Sequence, residues 1–180
     1  MDKRNDILRA AERLFYNNGF HATSTDHICS EANVSTRTLY RYFPSRESLT
    51  ASVMEQRKNR FSSALYPAEH VEAIDQLFRE LKRWMDENGA QGCFFVKAWA
   101  EYAEHDMTLA ALALDYRYML RHYIAACINH SHGVNREALI NVIWILFEGA
   151  STTALLTGSQ AALDAGNAAA LLMNESGAAQ

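Results

Sequence analysis

Proline is nearly absent from this chain: 180 residues contain two, Pro44 and Pro67. With so few helix breakers the chain is free to be helical along most of its length, and both prolines fall at predicted helix boundaries. Cysteine is scarce too. Cys29, Cys93 and Cys127 are odd in number and far apart, which excludes a disulfide framework and reads as three reduced thiols in a cytoplasmic protein. No signal peptide, no repeated unit and no low-complexity tract occurs, apart from an Ala-rich tail. The period-two alternation of strands is almost missing, which excludes a sheet protein. The most apolar run, LINVIWILF at 139–147, is interrupted by Asn141 and followed by Glu148. Because a membrane span needs about 20 apolar residues, no membrane partner is expected.

Signatures of catalysis are also missing. No Gly-rich phosphate loop, no nucleophile with base and orienting acid, and no metal motif appears, so the chain is not expected to be an enzyme or to hold a cofactor. Cys127, His130 and His132 could be read as metal ligands, but the spacing is weak and no second cluster supports it.

What is present is a strong contrast between head and body. The chain carries 17 Lys and Arg against 21 Asp and Glu, a net charge of −4. Residues 1–60 hold 10 basic against 7 acidic side chains, and the remaining 120 hold 7 against 14. A net-acidic protein of this kind can still bind nucleic acid through its basic head, because affinity follows the local count of neutralised phosphates.

The head has the pattern of a helix-turn-helix. Ile7, Ala10, Ala11, Leu14 and Phe15 draw one apolar stripe, and Gly19 follows where a helix stops. Thr23 and Ser24 can cap a second helix that buries Ile28, Cys29 and Ala32. Asn33 tolerates the positive φ needed to reverse the chain, Val34 plugs the corner, and Ser35 is the next cap. In the third helix Leu39 and Phe43, four apart, face inward. Thr36, Arg37, Tyr40 and Arg41 remain free for a DNA groove, where Arg can read a guanine edge and hydroxyls can bond phosphate. After Pro44, Ser45 caps a fourth helix over residues 45–64, and Lys3 and Arg4 form a short basic arm.

The stretch AAERLFYNNGFHATSTDHICSEANVSTRTLYRYFPSRESL resembles the DNA-binding domain of the TetR family of bacterial transcriptional regulators. It departs from the common family pattern at Cys29, Asn33 and Arg37. The resemblance implies an all-α fold of about 9 helices: a helix-turn-helix domain over 1–48, a connecting helix over 49–66, and a ligand-binding and dimerisation domain over 67–180. It implies DNA contacts from Ser24, Thr25, Ser35, Thr36, Arg37, Thr38, Tyr40, Arg41, Tyr42 and Arg46, with Thr36, Arg37 and Thr38 reading bases. The expected function is that of a homodimeric repressor released from double-stranded operator DNA by a small-molecule effector. The alternatives are a carrier or enzyme with a vestigial head, or a repressor that senses oxidants or electrophiles through Cys93.

The body reads as helices throughout. Val71, Ile74, Leu77, Phe78, Leu81, Trp84 and Met85 recur at helical spacing over residues 68–88, a helix six spans 92–105, and Asp106 or Thr108 caps a seventh. Residues 138–156 are apolar nearly all round and must be covered on several sides. With residues 160–173 they are suited to pack across a two-fold axis through Trp144, Ala150, Thr153, Ala154, Ala161, Ala165, Ala169 and Leu172, as the two C-terminal helices of the family do. QGCFFVKAWAEYAEHD and Glu148-Gly149-Ala150 resemble a subset of the family. An aromatic set, Trp84, Phe95, Trp99, Tyr102, Tyr116, Tyr123, Trp144 and Phe147, is expected to line an effector pocket.

Overall fold

The computed structural model describes residues 2–134 and 136–178, and its regular elements are all α-helices. Among the described residues there are nine: α1 (Lys3–Asn18), α2 (Thr25–Glu31), α3 (Thr36–Tyr42), α4 (Arg46–Ser63), α5 (Ala73–Asn88), α6 (Phe94–Tyr102), α7 (Met107–His132), α8 (Glu137–Thr157) and α9 (Gln160–Ala178). They form two compact units, residues 1–60 with 94–116, and residues 61–93 with 117–180. This division runs along a different line from the boundaries at 48 and 66 expected from sequence. Both α6 and the first part of α7 belong with the N-terminal helices.

In the first unit, α1 lays the stripe of Ile7, Ala11, Leu14 and Phe15 into a core shared with Ile28, Leu39, Val53 and Phe94. Phe15 stacks on Phe20 at 4.9 Å, and Phe20 meets Phe94 edge-on at 5.0 Å. One carboxylate lies inside this apolar packing. Glu12 accepts from Arg57 and Arg60, each at 2.6 Å, while the Arg57 guanidinium covers the rings of Tyr16 and Phe94 at 4.8 and 4.7 Å. A charge at such depth is tolerable only because it is paired and hydrogen-bonded.

The start of α1 corrects the expected basic arm. Lys3 and Arg4 are its first helical residues, because the Asp2 carboxylate caps the helix by accepting from the amides of Arg4 and Asn5 at 3.1 and 3.4 Å. The far end behaves as read: the Gly19 amide donates to Phe15 O at 3.0 Å and Gly19 has φ +94°.

In the second unit the stripe of α5 buries Ile74, Leu77, Phe78, Leu81 and Met85. Val71 is not part of it, being 91% exposed. The chain from Pro67 first makes turns, with His70 N donating to Pro67 O and Ala73 N donating to His70 O, both at 3.0 Å, so the helix begins at Ala73. Helix α9 packs against both α5 and α8. Ala150 and Ala154 on α8, and Ala161, Ala162, Ala165 and Ala169 on α9, are all buried within the single chain.

By length and composition α8 is apolar enough to cross a bilayer. Here it is one partner of a helix pair, and its Glu148 forms a salt bridge with Arg117 of α7.

Candidate nucleic-acid interface

Three polar side chains with defined backbone partners set the helix-turn-helix. Ser24 caps α2, its Oγ accepting from His27 N at 3.1 Å, and Ser35 caps α3 by accepting from Thr38 N at 3.1 Å. Between them Asn33 takes φ +50°. Val34 N donates to Cys29 O at 3.0 Å and Asn33 N to Ser30 O at 3.2 Å, the paired bonds that close a helix around a left-handed residue. Thr23, the other cap candidate, does different work: its buried hydroxyl donates to Gly19 O at 2.8 Å and Leu14 O at 3.2 Å, tying the α1–α2 corner together.

This turn presents α3 with Leu39 and Phe43 buried and Thr36, Arg37, Tyr40 and Arg41 exposed. Positions 36, 37, 40 and 41 share one helical face, beside the one that carries the buried Leu39. The expected DNA contacts thus divide into three groups. Those four are open to a groove. Thr38 is half-buried with its Oγ1 3.0 Å from Ser35 Oγ, while Tyr42 carries the Arg41 guanidinium 5.0 Å above its ring. Ser24 and Ser35 offer their Oγ atoms to helix amides, and Thr25 is half-exposed at the start of α2.

Arg46, expected as a phosphate contact, also has partners within the protein. Its Nη2 donates to Phe20 O at 2.8 Å and Thr23 O at 2.7 Å, and its guanidinium lies 4.7 Å from the centre of the Phe15 ring. Both acceptors are main-chain carbonyls of the α1–α2 corner. Burial lowers the Arg46 pKa, with neighbouring Tyr102 opposing the shift.

A second set of contacts, unsuspected from sequence, joins α6 to the same corner. Glu101 accepts from the amides of Phe20 and His21 at 2.8 and 2.7 Å, with His21 Nδ1 at 3.4 Å. Lys97 donates to Tyr16 O at 3.0 Å, one of the carbonyls that end α1. Burial lowers the Lys97 pKa, partly offset by Glu101. A Cβ at Gly19 would lie 3.0 Å from Glu101 Oε1, so this residue is needed for close approach as well as for its φ. The sequence signal was the i, i+4 pair Lys97 and Glu101 on one face of a short helix, which composition alone does not connect to a corner 80 residues away.

The aromatic set expected around an effector falls into different roles. In the first unit Tyr102 packs edge-on against Phe20 and His21 at 5.5 and 4.9 Å, and its hydroxyl is raised in pKa by burial while hydrogen-bonded to Thr50. It braces the corner. Trp99 is 44% exposed, and Phe95 stacks on Tyr116 at 3.9 Å with one edge lining an open cleft. In the second unit Trp144 stacks on Phe147 at 6.0 Å beneath the Arg117 guanidinium, and Phe61 links Phe147 to Trp84. Tyr123 donates to Tyr66 O at 2.8 Å, and its pKa is raised by burial. Burial also holds the Glu148 carboxyl above its ordinary range, against the pull of Arg117.

The interface alanines are likewise spent within the chain: Ala150, Ala154, Ala161, Ala165 and Ala169 pack in the body of one protomer, while Thr153 is exposed and Trp144 and Leu172 are half-exposed. What α8 leaves uncovered is the neighbouring stripe of Val142, Ile145 and Leu156, joined by Leu171 of α9. Among the described residues no three His, Cys, Asp or Glu side chains gather as metal ligands. Cys29 and Cys127 are buried and Cys93 is half-buried, and none of the three is in a disulfide.

The sequence matches the family model for bacterial regulatory proteins of the tetR family over residues 7–53, which contain the whole helix-turn-helix. It is 30% identical over 110 residues to the HTH-type transcriptional regulator UidR of Escherichia coli, covering 61% of this chain and 56% of UidR. It is 25% identical over 142 residues to the HTH-type transcriptional activator FasR of Mycolicibacterium smegmatis, covering 79% and 59%. The chain therefore spans under two thirds of the length of these relatives. Its fold is similar to that of a TetR-family regulator from Streptomyces coelicolor, with TM-score 0.86, 20% identity and coverage of 97% and 96%. A TetR regulator from Legionella pneumophila superposes with TM-score 0.78 at 17% identity, covering 97% of both chains. The helix-turn-helix is thus matched in sequence by the tetR family model over residues 7–53, and the nine helices of the described residues have the fold seen in TetR-family transcriptional regulators.

Proposed function

We propose that this protein is a cytoplasmic homodimer that represses transcription from an operator and is released by a small molecule. The observation that carries the reading is the α3 face of Thr36, Arg37, Tyr40 and Arg41, exposed together above a buried Leu39 and Phe43. Arg37 and Arg41 supply donors for guanine edges or phosphates, and Thr36 a methyl group for thymine. Two such faces, one per protomer, would read two half-sites about one helical turn apart.

The dimer would use the uncovered stripe of α8 and α9 rather than the alanines expected from sequence. Ile145, Leu156 and Leu171 are 64%, 89% and 66% exposed, an apolar surface that a second copy of the same two helices would cover about a two-fold axis. Effector control would act through the grip of Lys97 and Glu101 on the corner after α1. A shift of α6 reaches the head through charge-assisted bonds, so a ligand that favours one placement of α6 biases DNA affinity.

FasR is named an activator, and the same DNA-binding surface serves activation equally well. A reporter driven by the bound promoter separates the two: deletion of the regulator raises expression under repression and lowers it under activation. The DNA-binding reading itself is tested by selecting sites from a random duplex pool. Enrichment of a two-fold symmetric sequence, lost in Arg37→Ala with Tyr40→Ala, is expected. Binding with no sequence enrichment would contradict it.

A further inference from the structure

Helices α4, α6 and α7 of the first unit enclose an open cleft of about 270 Å³. Its wall includes the apolar side chains of Met54, Phe95 and Leu112, the first two almost wholly buried and the third partly exposed. Two carboxylates stand at the same cleft, Glu55 from α4 and Asp115 from α7. Both are exposed, and among the described residues neither forms an ion pair or accepts a hydrogen bond. Lys58 also lines the cleft, leaving the three ionised groups with a net charge of −1.

An apolar wall beside two uncommitted carboxylates is complementary to an amphipathic cation. We infer that this cleft binds a small aromatic organic cation, its ring against Met54, Phe95 and Leu112 and its charged nitrogen between Glu55 and Asp115. A neutral ring of the same size gains only the apolar contact, and an anionic one meets two like charges. The volume lies just under the roughly 300 Å³ at which ligand pockets usually begin, enough for one ring with a short cationic substituent.

The cleft also suits control. Its wall includes Phe95, which stacks on Tyr116 at 3.9 Å and lies in the first turn of α6, the helix that carries Lys97 and Glu101. A ring pressed between α4 and α6 changes their spacing within the unit that holds the helix-turn-helix. This consequence rests on the regulator reading, whereas occupation of the cleft does not.

The test is calorimetric titration of the full chain with benzyltrimethylammonium, benzyl alcohol and phenylacetate, repeated on Glu55→Gln with Asp115→Asn. Both changes are on exposed side chains, and an unchanged melting temperature confirms that the variant is folded. Saturable binding of the cation alone, weakened at least about tenfold in the double variant by loss of charge-assisted contacts, is expected. Equal binding of all three probes, binding of phenylacetate, or cation binding unchanged in the double variant overturns the site. Titration is then repeated with a selected duplex bound. A cation that occupies the cleft and lowers DNA affinity supports the control. A cation that occupies it with no effect on DNA affinity overturns the control and leaves the site. A chain that takes the cation but selects no DNA sequence contradicts the regulator reading alone.

Discussion

Glu12 illustrates how a single polar side chain can carry an apolar core. Its carboxylate is shared by Arg57 and Arg60, and Arg57 is itself buried under two rings. Replacing Glu12 with Gln keeps the shape and removes the charge that both guanidinium groups face. Breaking a buried pair from one side costs about 3–5 kcal/mol. Because Arg60 is 41% exposed and can turn to water, the expected loss lies at the lower end, about 3 kcal/mol in urea unfolding. A loss below about 0.5 kcal/mol would show that the pair is not held as described. Cys127 provides a second residue-scale test. Burial pushes its thiol up to about 11 from an ordinary 9. At pH 8 the folded protein should therefore alkylate there about a hundredfold more slowly than the unfolded chain, since the thiolate is the reactive form. The sign for stability follows: the neutral thiol is favoured by folding, so this group's contribution falls as pH rises from about 9 through about 11. Alkylation of Cys127 at the unfolded rate would contradict the burial. At this scale the sequence was legible wherever a residue's own backbone chemistry decides its role. Ser24, Ser35 and Asn33 act as caps and reversal because local geometry selects them. Arg46 was not legible, because its partners are carbonyls at Phe20 and Thr23 that only the folded corner brings within reach.

At the scale of elements, periodicity finds the apolar face of a helix but not the neighbour that covers it. The alanines of α8 and α9 suit a seam between two protomers by spacing, yet within one chain they are already buried. Small residues allow close approach to whichever helix is nearest, and the short turn at Gly158 and Ser159 makes α8 and α9 neighbours first. Gly166 marks another such approach. A Cβ there would lie 2.9 Å from Phe78 Cβ on α5, too close to a stem atom that cannot swing aside. Gly166→Ala should therefore cost about 1–3 kcal/mol despite the better helix propensity of Ala. Stabilisation of the chain by that change in a thermal melt would overturn the α5–α9 packing. The exposed stripe predicts the opposite kind of behaviour. Ile145→Glu with Leu156→Glu should leave the melting temperature of a protomer nearly unchanged while shifting the mass in sedimentation from two chains to one. A dimer that survives both charges would place its interface elsewhere. Helix α5 shows the limit of pattern reading in another way: Val71 fits the stripe, but the turns after Pro67 delay the helix to Ala73.

For the whole molecule, the all-α fold was legible because few prolines, repeated capping residues and helical spacing agree along the chain. The grouping of helices was not. Residues 94–116 join the head through Lys97, Glu101 and Tyr102, contacts about 80 residues apart that no local signal announces. That grouping ties α6 to the helix-turn-helix within one unit, and it makes Glu101 a position where control and stability can be separated. Glu101→Gln keeps one acceptor oxygen for the two amides that Oε1 and Oε2 now hold at 2.8 and 2.7 Å, and sets an NH2 donor against the other. The expected result is a modest loss of stability, about 1–2 kcal/mol, with a weaker effect of any effector on DNA affinity. Unaltered effector coupling would remove α6 from the account. The most direct test of the central claim is footprinting of the purified protein on the promoter beside its own gene, with binding measured across a salt series. A protected two-fold symmetric site is predicted, with affinity falling steeply as salt rises and abolished by Arg37→Ala with Tyr40→Ala. Protection that is absent there and on every sequence of a random duplex pool would contradict it.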